Sequence, residues 1–182
     1  MRTMTYNDCK NIYKLFKELD FWIVGQSFST AVIELEKIAD YLWDIDQEMS
    51  QNLFDFVHKM YDAVYFKTNK LNELAEKAKL FKVQIYNKYL MDNDSNYKNF
   101  VLESALLKKQ LQSGHKNPYK AAIDFQVFIK TVDPSAVTDY LNGIGDLMVN
   151  YHGQYNKLWD LFQDKCGRIM KNKIILLENS LK

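Results

Sequence analysis

Four carboxylates, Glu36, Asp40, Asp44 and Glu48, recur every fourth residue. On a continuous helix that spacing makes one stripe, with Glu34 and Asp46 beside it. Like charges placed this way repel by about 0.2–0.5 kcal/mol per pair, so the stripe calls for offsetting charge. Three chemistries suit it. Lysines of a neighbouring helix, such as Lys70, Lys77 or Lys82, neutralise it. A basic partner docks on it. Or facing carboxylates complete a site for a divalent cation, which prefers oxygen ligands.

The stretch ELEKIADYL, Glu34 to Leu42, resembles the acidic helix of the all-α nucleotide pyrophosphatases. That resemblance implies a Mg²⁺-dependent nucleotide hydrolase using Glu36 and Asp40. It also implies a second carboxylate cluster on a facing helix and an ExxD spacing. Here the pair is spaced one residue further, and the adjoining runs offer only Glu18 and Asp20, or Asp55 and Asp62. Other catalytic patterns are absent. His58, His115 and His152 form no ExxH, HxxxH or HExxH spacing. There is no GxSxG and no Walker A motif. Gly143 and Gly145 supply two glycines of a GxGxxG, but Met148 stands at the third. Cys9 and Cys166 make no CxxC, so they read as reduced core thiols and not as a zinc site. The sequence implies no cofactor and no metal centre.

The 24 basic and 23 acidic residues are unevenly spread. Residues 1–66 hold 6 basic and 11 acidic, and residues 67–120 hold 11 and 5. In the basic region Lys77, Lys79, Lys82 and Lys88 lie among Phe81, Tyr86 and Tyr89, a mixture that suits a nucleic-acid backbone and its bases. Against that reading, the lysines scatter around the helix, Glu73 and Glu76 interrupt them, and the whole chain is near neutral. Arginine, the usual fork for phosphates and bases, occurs only twice. The lysine-, asparagine- and tyrosine-rich bias fits an AT-rich genome, such as that of a low-GC bacterium or its phage.

The elements that position these residues are helical. Apolar residues step by 3 and 4 through Cys9, Ile12, Phe16, Leu19 and Ile23, then through Leu35, Ile38, Leu42, Ile45 and Met49. Thr5 and Asp8 form a capping box, and Gly25 stops the first run. A third run, from Phe54 through Tyr61 and Thr68 to Ala78, slips onto Phe81 and Ile85 and reads as one long helix with a stutter. Asp94 or Ser95, and Asn117–Pro118, open further helices. The final run, Val137 to Phe162 and on to Leu181, has the most regular spacing and a coiled-coil character. Unbroken from 134 to 181 it would span about 70 Å, against about 40 Å for a compact domain of this size. It therefore bends near Gly153 or Gly167, protrudes, or pairs with another chain. Its glycines miss the seam, so "YLNGIGDLMVNYHGQY" reads as helix. Gly145 is placed for close packing beside Tyr151 and Tyr155, and a Gly145→Leu change is expected to damage folding or assembly.

The expectation is a single all-α domain over 1–182, a bundle of about five or six helices. No run is apolar enough to span a bilayer and no leader pattern opens the chain, which suits a cytoplasmic protein of a bacterium, or of a host cell if phage-encoded. The leading functional reading is a non-enzymatic inhibitor or adaptor that binds a protein partner, with nucleic-acid binding and the hydrolase as alternatives. A homodimer through the last helix is compatible with the pattern. The aromatics on the flanks of their stripes, Phe21, Trp22 and Trp43, join the acidic stripe as candidate contact residues, since Trp and Tyr dominate interface hot spots.

Overall fold

A computed structural model describes residues 1–114, 117–150 and 155–182, with the side chains at 118, 119, 144–150, 155, 156 and 158 outside that description. The described residues form nine helical segments and no strand. They are α1 (Tyr6–Val24), α2 (Phe28–Leu42), α3 (Gln47–Tyr65), α4 (Leu71–Asn93), α5 (Ser95–Gln112), α6 (Pro118–Asp124), α7 (Gln126–Val132), α8 (Ala136–Asn150) and α9 (Tyr155–Leu181). The all-α class is as expected, with more segments than the five or six expected. The chain divides into two compact units, Met1–Tyr89 with Glu178–Lys182, and Leu90–Leu177.

In the first unit α1 to α4 run alternately up and down. Asn11 donates to the Tyr41 hydroxyl at 3.0 Å, and the Ser50 hydroxyl donates to the Ala39 carbonyl at 2.7 Å. Late α3 reaches the middle of α2, where the Tyr61 hydroxyl donates to Glu36 at 2.6 Å. On α4, Phe81 meets Phe56 of α3 at 5.2 Å, and Lys88 pairs with Asp46. The α1 stripe is buried at all five expected positions, Cys9, Ile12, Phe16, Leu19 and Ile23. On α3 the buried line is Ser50, Leu53, Val57, Met60 and Ala63, so Phe54 and Tyr61 flank the core and do not fill it. Ser50, on that buried line, lies inside α3 and is bonded to α2. The chain's last residues also belong here: Leu181 is buried, Tyr6 donates to the Ser180 carbonyl, and Lys82 pairs with Glu178 at 3.1 Å.

Two of the three reversals in this unit use the same motif. After α1, the Ser27 amide donates to the Trp22 carbonyl at 2.9 Å and the Gln26 amide to Ile23 at 3.0 Å. After α3, the Thr68 amide donates to Ala63 at 3.1 Å and the Lys67 amide to Val64 at 3.3 Å. These six-to-one and five-to-two bonds define a Schellman end, whose C′ residue must be left-handed. Gln26 (φ 55°) and Lys67 (φ 48°) hold that place. Gly25 therefore sits one residue before the position that wants glycine, with an ordinary φ of −75°. The second reversal also corrects the expected long third helix, which stops at Tyr65.

The start of the chain is locked by Asp8, which is almost wholly buried. Its carboxylate takes Arg2 through two bonds of 2.6 and 2.9 Å, the Thr5 amide at 2.8 Å and the Tyr41 hydroxyl at 2.8 Å. Thr5 returns the capping-box bond to the Asp8 amide. The Arg2 guanidinium, aided by Thr5 and Tyr41, outweighs burial and holds the Asp8 acid well below the usual carboxylate range.

In the second unit the core gathers phenylalanines. Phe125 lies 5.6 Å from Phe100 and 5.2 Å from Phe162. Buried Tyr140 donates to the Ala122 carbonyl at 2.7 Å. Asp94 caps α5 through the Tyr97 amide at 3.0 Å and pairs with Lys173 at 2.7 Å. Gly143 and Gly145 lie within α8, and α9 passes through Gly167 without a break. Close packing falls at Gly143, where a Cβ would meet Leu161 at 3.2 Å. The side-chain surroundings of Gly145 and Tyr155, together with Tyr151 and the bend expected at Gly153, lie outside the described residues.

These caps and reversals lead to two stability outcomes. A left-handed non-glycine residue costs about 1–2 kcal/mol, and glycine's extra unfolded-state freedom returns about 0.5–1 kcal/mol of that. Lys67→Gly and Gln26→Gly should therefore each raise the unfolding free energy by up to about 1 kcal/mol in denaturant titration, whereas Lys67→Ala should not. A loss in both glycine variants would contradict the assignment. Asp8→Asn should cost about 2–3 kcal/mol at neutral pH through lost charge-assisted bonds. Because the folded acid is depressed, Asp8's contribution is complete above the unfolded value near about 4 and is lost as pH falls below it. The gap between wild type and variant should accordingly narrow below about pH 4.

Candidate functional site

The acidic stripe does not survive as a stripe. Helix α2 ends at Leu42 and α3 begins at Gln47, so only Glu36 and Asp40 share a helix. The break has a local cause: the Asp46 side chain accepts the Met49 amide at 3.1 Å and starts a new helix. Asp44 lies in the turn, where its carbonyl accepts the Arg2 amide at 3.1 Å. Glu48 falls in the first turn of α3, where the helix dipole favours an anion. Glu36 is engaged by Tyr61, and that carboxylate pushes the phenol up to about 12. Glu34 pairs with Lys37 at 2.8 Å. Asp46 pairs with Lys88 in place of the lysines expected to neutralise the stripe. Burial opposes its ionisation, but Lys88 and the α3 amides prevail and lower the acid. Among the described residues no three His, Cys, Asp or Glu side chains converge as a metal site would need.

The four lysines of the basic region are each engaged by a carboxylate. Lys77 pairs with Glu73 at 2.9 Å, Lys79 with Glu76 at 3.3 Å, Lys82 with Glu178 and Lys88 with Asp46. Lys79 and Lys82 also act on Asp20, whose acid burial raises and these two cations pull back down. A phosphate backbone would have to displace these partners.

Trp22 and Trp43 lie at opposite ends of the first unit. Trp43 is exposed at the close of α2. Trp22 is half-buried near the close of α1, with the Phe21 ring edge-on at 5.0 Å.

That second end carries the largest apolar exposure. Because α1 and α3 run the same way, their last turns meet solvent together. Phe21 is 64% exposed, Val24 80%, Tyr65 80% and Phe66 69%. Tyr65 and Phe66 touch edge to face at 5.0 Å. Beside them, between the end of α3 and the start of α4, lies an open cleft of about 410 Å³ floored by Ala63, Phe66 and Leu74. Lys59, Lys70 and the Lys77–Glu73 pair stand at its rim. Lys59 and Lys70 form no close ion pair among the described residues. Of these features sequence reasoning found Phe21 and Trp22. It missed Val24, Tyr65 and Phe66, because the third helix was read straight through "VYFKTNK", a turn without glycine or proline.

These exposed side chains should matter little to folding. Tyr65→Ser and Phe66→Ser are expected to shift the unfolding free energy by no more than about 0.5 kcal/mol, the range of ordinary surface changes. Met60→Ala, one turn inside, should cost about 2–5 kcal/mol. A large loss in the Tyr65 or Phe66 variant would show that the aromatics serve the core. No family model, curated protein or solved structure matches this chain.

Proposed function

We propose that this chain is a non-enzymatic binding protein, an inhibitor or adaptor, which grips an acidic, amphipathic segment of a partner protein at the α1–α3 end of its first unit. The observation that carries the reading is that Phe21, Val24, Tyr65 and Phe66, all more than half exposed, stand at the C-terminal ends of two helices that run the same way. Soluble folds seldom leave such side chains together in water without a use, and aromatics of this kind anchor interfaces. The cleft floor continues the apolar surface, and Lys59, Lys70 and Lys77 outnumber Asp62 and Glu73 around it, a net positive lining. That sign selects an acidic partner and steers its approach. It also disfavours a two-fold pairing of identical ends, which would set lysine against lysine. The two buried, unpaired thiols Cys9 and Cys166 suit a reducing, cytoplasmic setting.

The test is capture of partner protein on immobilised full chain, compared with Phe21→Ser and Phe66→Ser variants of matched melting temperature. The expected result is one stoichiometric protein on the wild type, weakened by salt and lost from both variants. Equal retention by the variants, or none by the wild type, would overturn the proposal.

A further inference from the structure

A second concavity, in the Leu90–Leu177 unit and independent of the end described above, lies between α5 and α9. It is an open groove of about 310 Å³. Val101 and Ala105 form one wall, and Trp159, Phe162 and Met170 the other. The aromatic wall is fixed from behind: Phe162 is buried, lies 5.6 Å from Trp159, and packs at 5.2 Å on Phe125. Gly167 opens the floor, because a Cβ built there would meet nothing within 4 Å. Cys166 contributes a buried thiol, which burial pushes up to about 12, so the wall stays neutral at ordinary pH. The single charged side chain lining the groove is Lys108, which is exposed and forms no ion pair among the described residues.

We propose that this groove is a binding site for a small amphiphilic carboxylate, a medium-chain aliphatic acid, with the alkyl chain along Trp159, Phe162 and Met170 and the carboxylate at Lys108. The volume sits at the low end of the range for small-molecule sites, about 300–1,000 Å³, whose walls are mainly apolar with few placed polar groups. A partner helix would need a longer trough. One cation in an otherwise uncharged, mainly apolar lining, to which Ser104 and Gln163 add neutral polar groups, selects an anion with an apolar body.

The experiment is calorimetric titration of the full chain with decanoate, below its micelle concentration, and with decanol. Trp159 emission is followed in parallel, with Trp159→Phe as the blank. Saturable one-to-one binding of decanoate is expected, with decanol weaker. Lys108→Ala should weaken decanoate by about tenfold, as for loss of one charge-assisted bond, and leave decanol unchanged. Gly167→Leu should fill the groove and abolish binding of both, with no loss of melting temperature, since its Cβ meets no neighbour. No saturable binding, or binding indifferent to Gly167→Leu, would overturn the site. An acidic amphipathic peptide that binds more tightly than decanoate and is blocked by Gly167→Leu would overturn the choice of ligand.

Discussion

The first unit depends on two chain reversals made by residues poorly suited to them. Gln26 and Lys67 occupy the left-handed position of a Schellman end that glycine fills at lowest cost. The hydrogen bonds and packing around each reversal hold them there. With the turn at Trp43–Asp46, they set the direction of each helix in the bundle. With α2 returning antiparallel to α1, and α3 antiparallel to α2, the last turns of α1 and α3 point the same way. Phe21 and Val24 are thereby brought to the same end as Tyr65 and Phe66, although more than forty positions separate them in the chain.

The hydroxyls of Thr68 and Tyr86 are buried in this bundle with no hydrogen-bond partner among the described residues. Other buried polar groups are engaged. Asp8 joins Arg2, Thr5 and Tyr41, and so ties the residues before α1 to the end of α2. Ser50 returns its hydroxyl to an α2 carbonyl. A buried acid of this kind stabilises only as a charged group with all its partners, which makes it sensitive to acid and intolerant of substitution. Surface pairs, such as Lys77 with Glu73, have small individual worth. Their effect is to occupy the lysines of α4. Lys59 and Lys70, which line the cleft beside Phe66, are among the lysines with no close ion pair among the described residues.

Much of this fold was legible in the sequence, in places where local chemistry and pattern agree. The capping box at Thr5 and Asp8, the α1 seam, the caps at Asp94 and Asn117 and the helical reading of Gly143 and Gly145 are all present. Where the reading failed, a turn lacked its usual marker. "FKTNK" reverses the chain on lysine, and "WDID" breaks the acidic stripe without glycine or proline. A four-residue spacing implies one face only while the helix lasts, and α2 ends at Leu42. The exposure of Tyr65 and Phe66 was not readable, since they stand in a run whose period continues past them. Close packing is found at Gly143, which depends on the neighbouring α9 and so on tertiary structure, while the surroundings of Gly145 lie outside the described residues. The lysines of α4 looked available for phosphate until their carboxylate partners, one of them at the far end of the chain, came into view.

We propose that the end of the first bundle, and not its acidic or basic flanks, meets another protein. The most direct measurement is site-specific photocrosslinking in the producing cell, with a benzoylphenylalanine placed in turn at Phe66, Phe21 and the equally exposed Val127 of the other unit. The account predicts one discrete protein adduct from positions 66 and 21 and none from 127. A common adduct from all three positions, or none from 66 and 21, would contradict it.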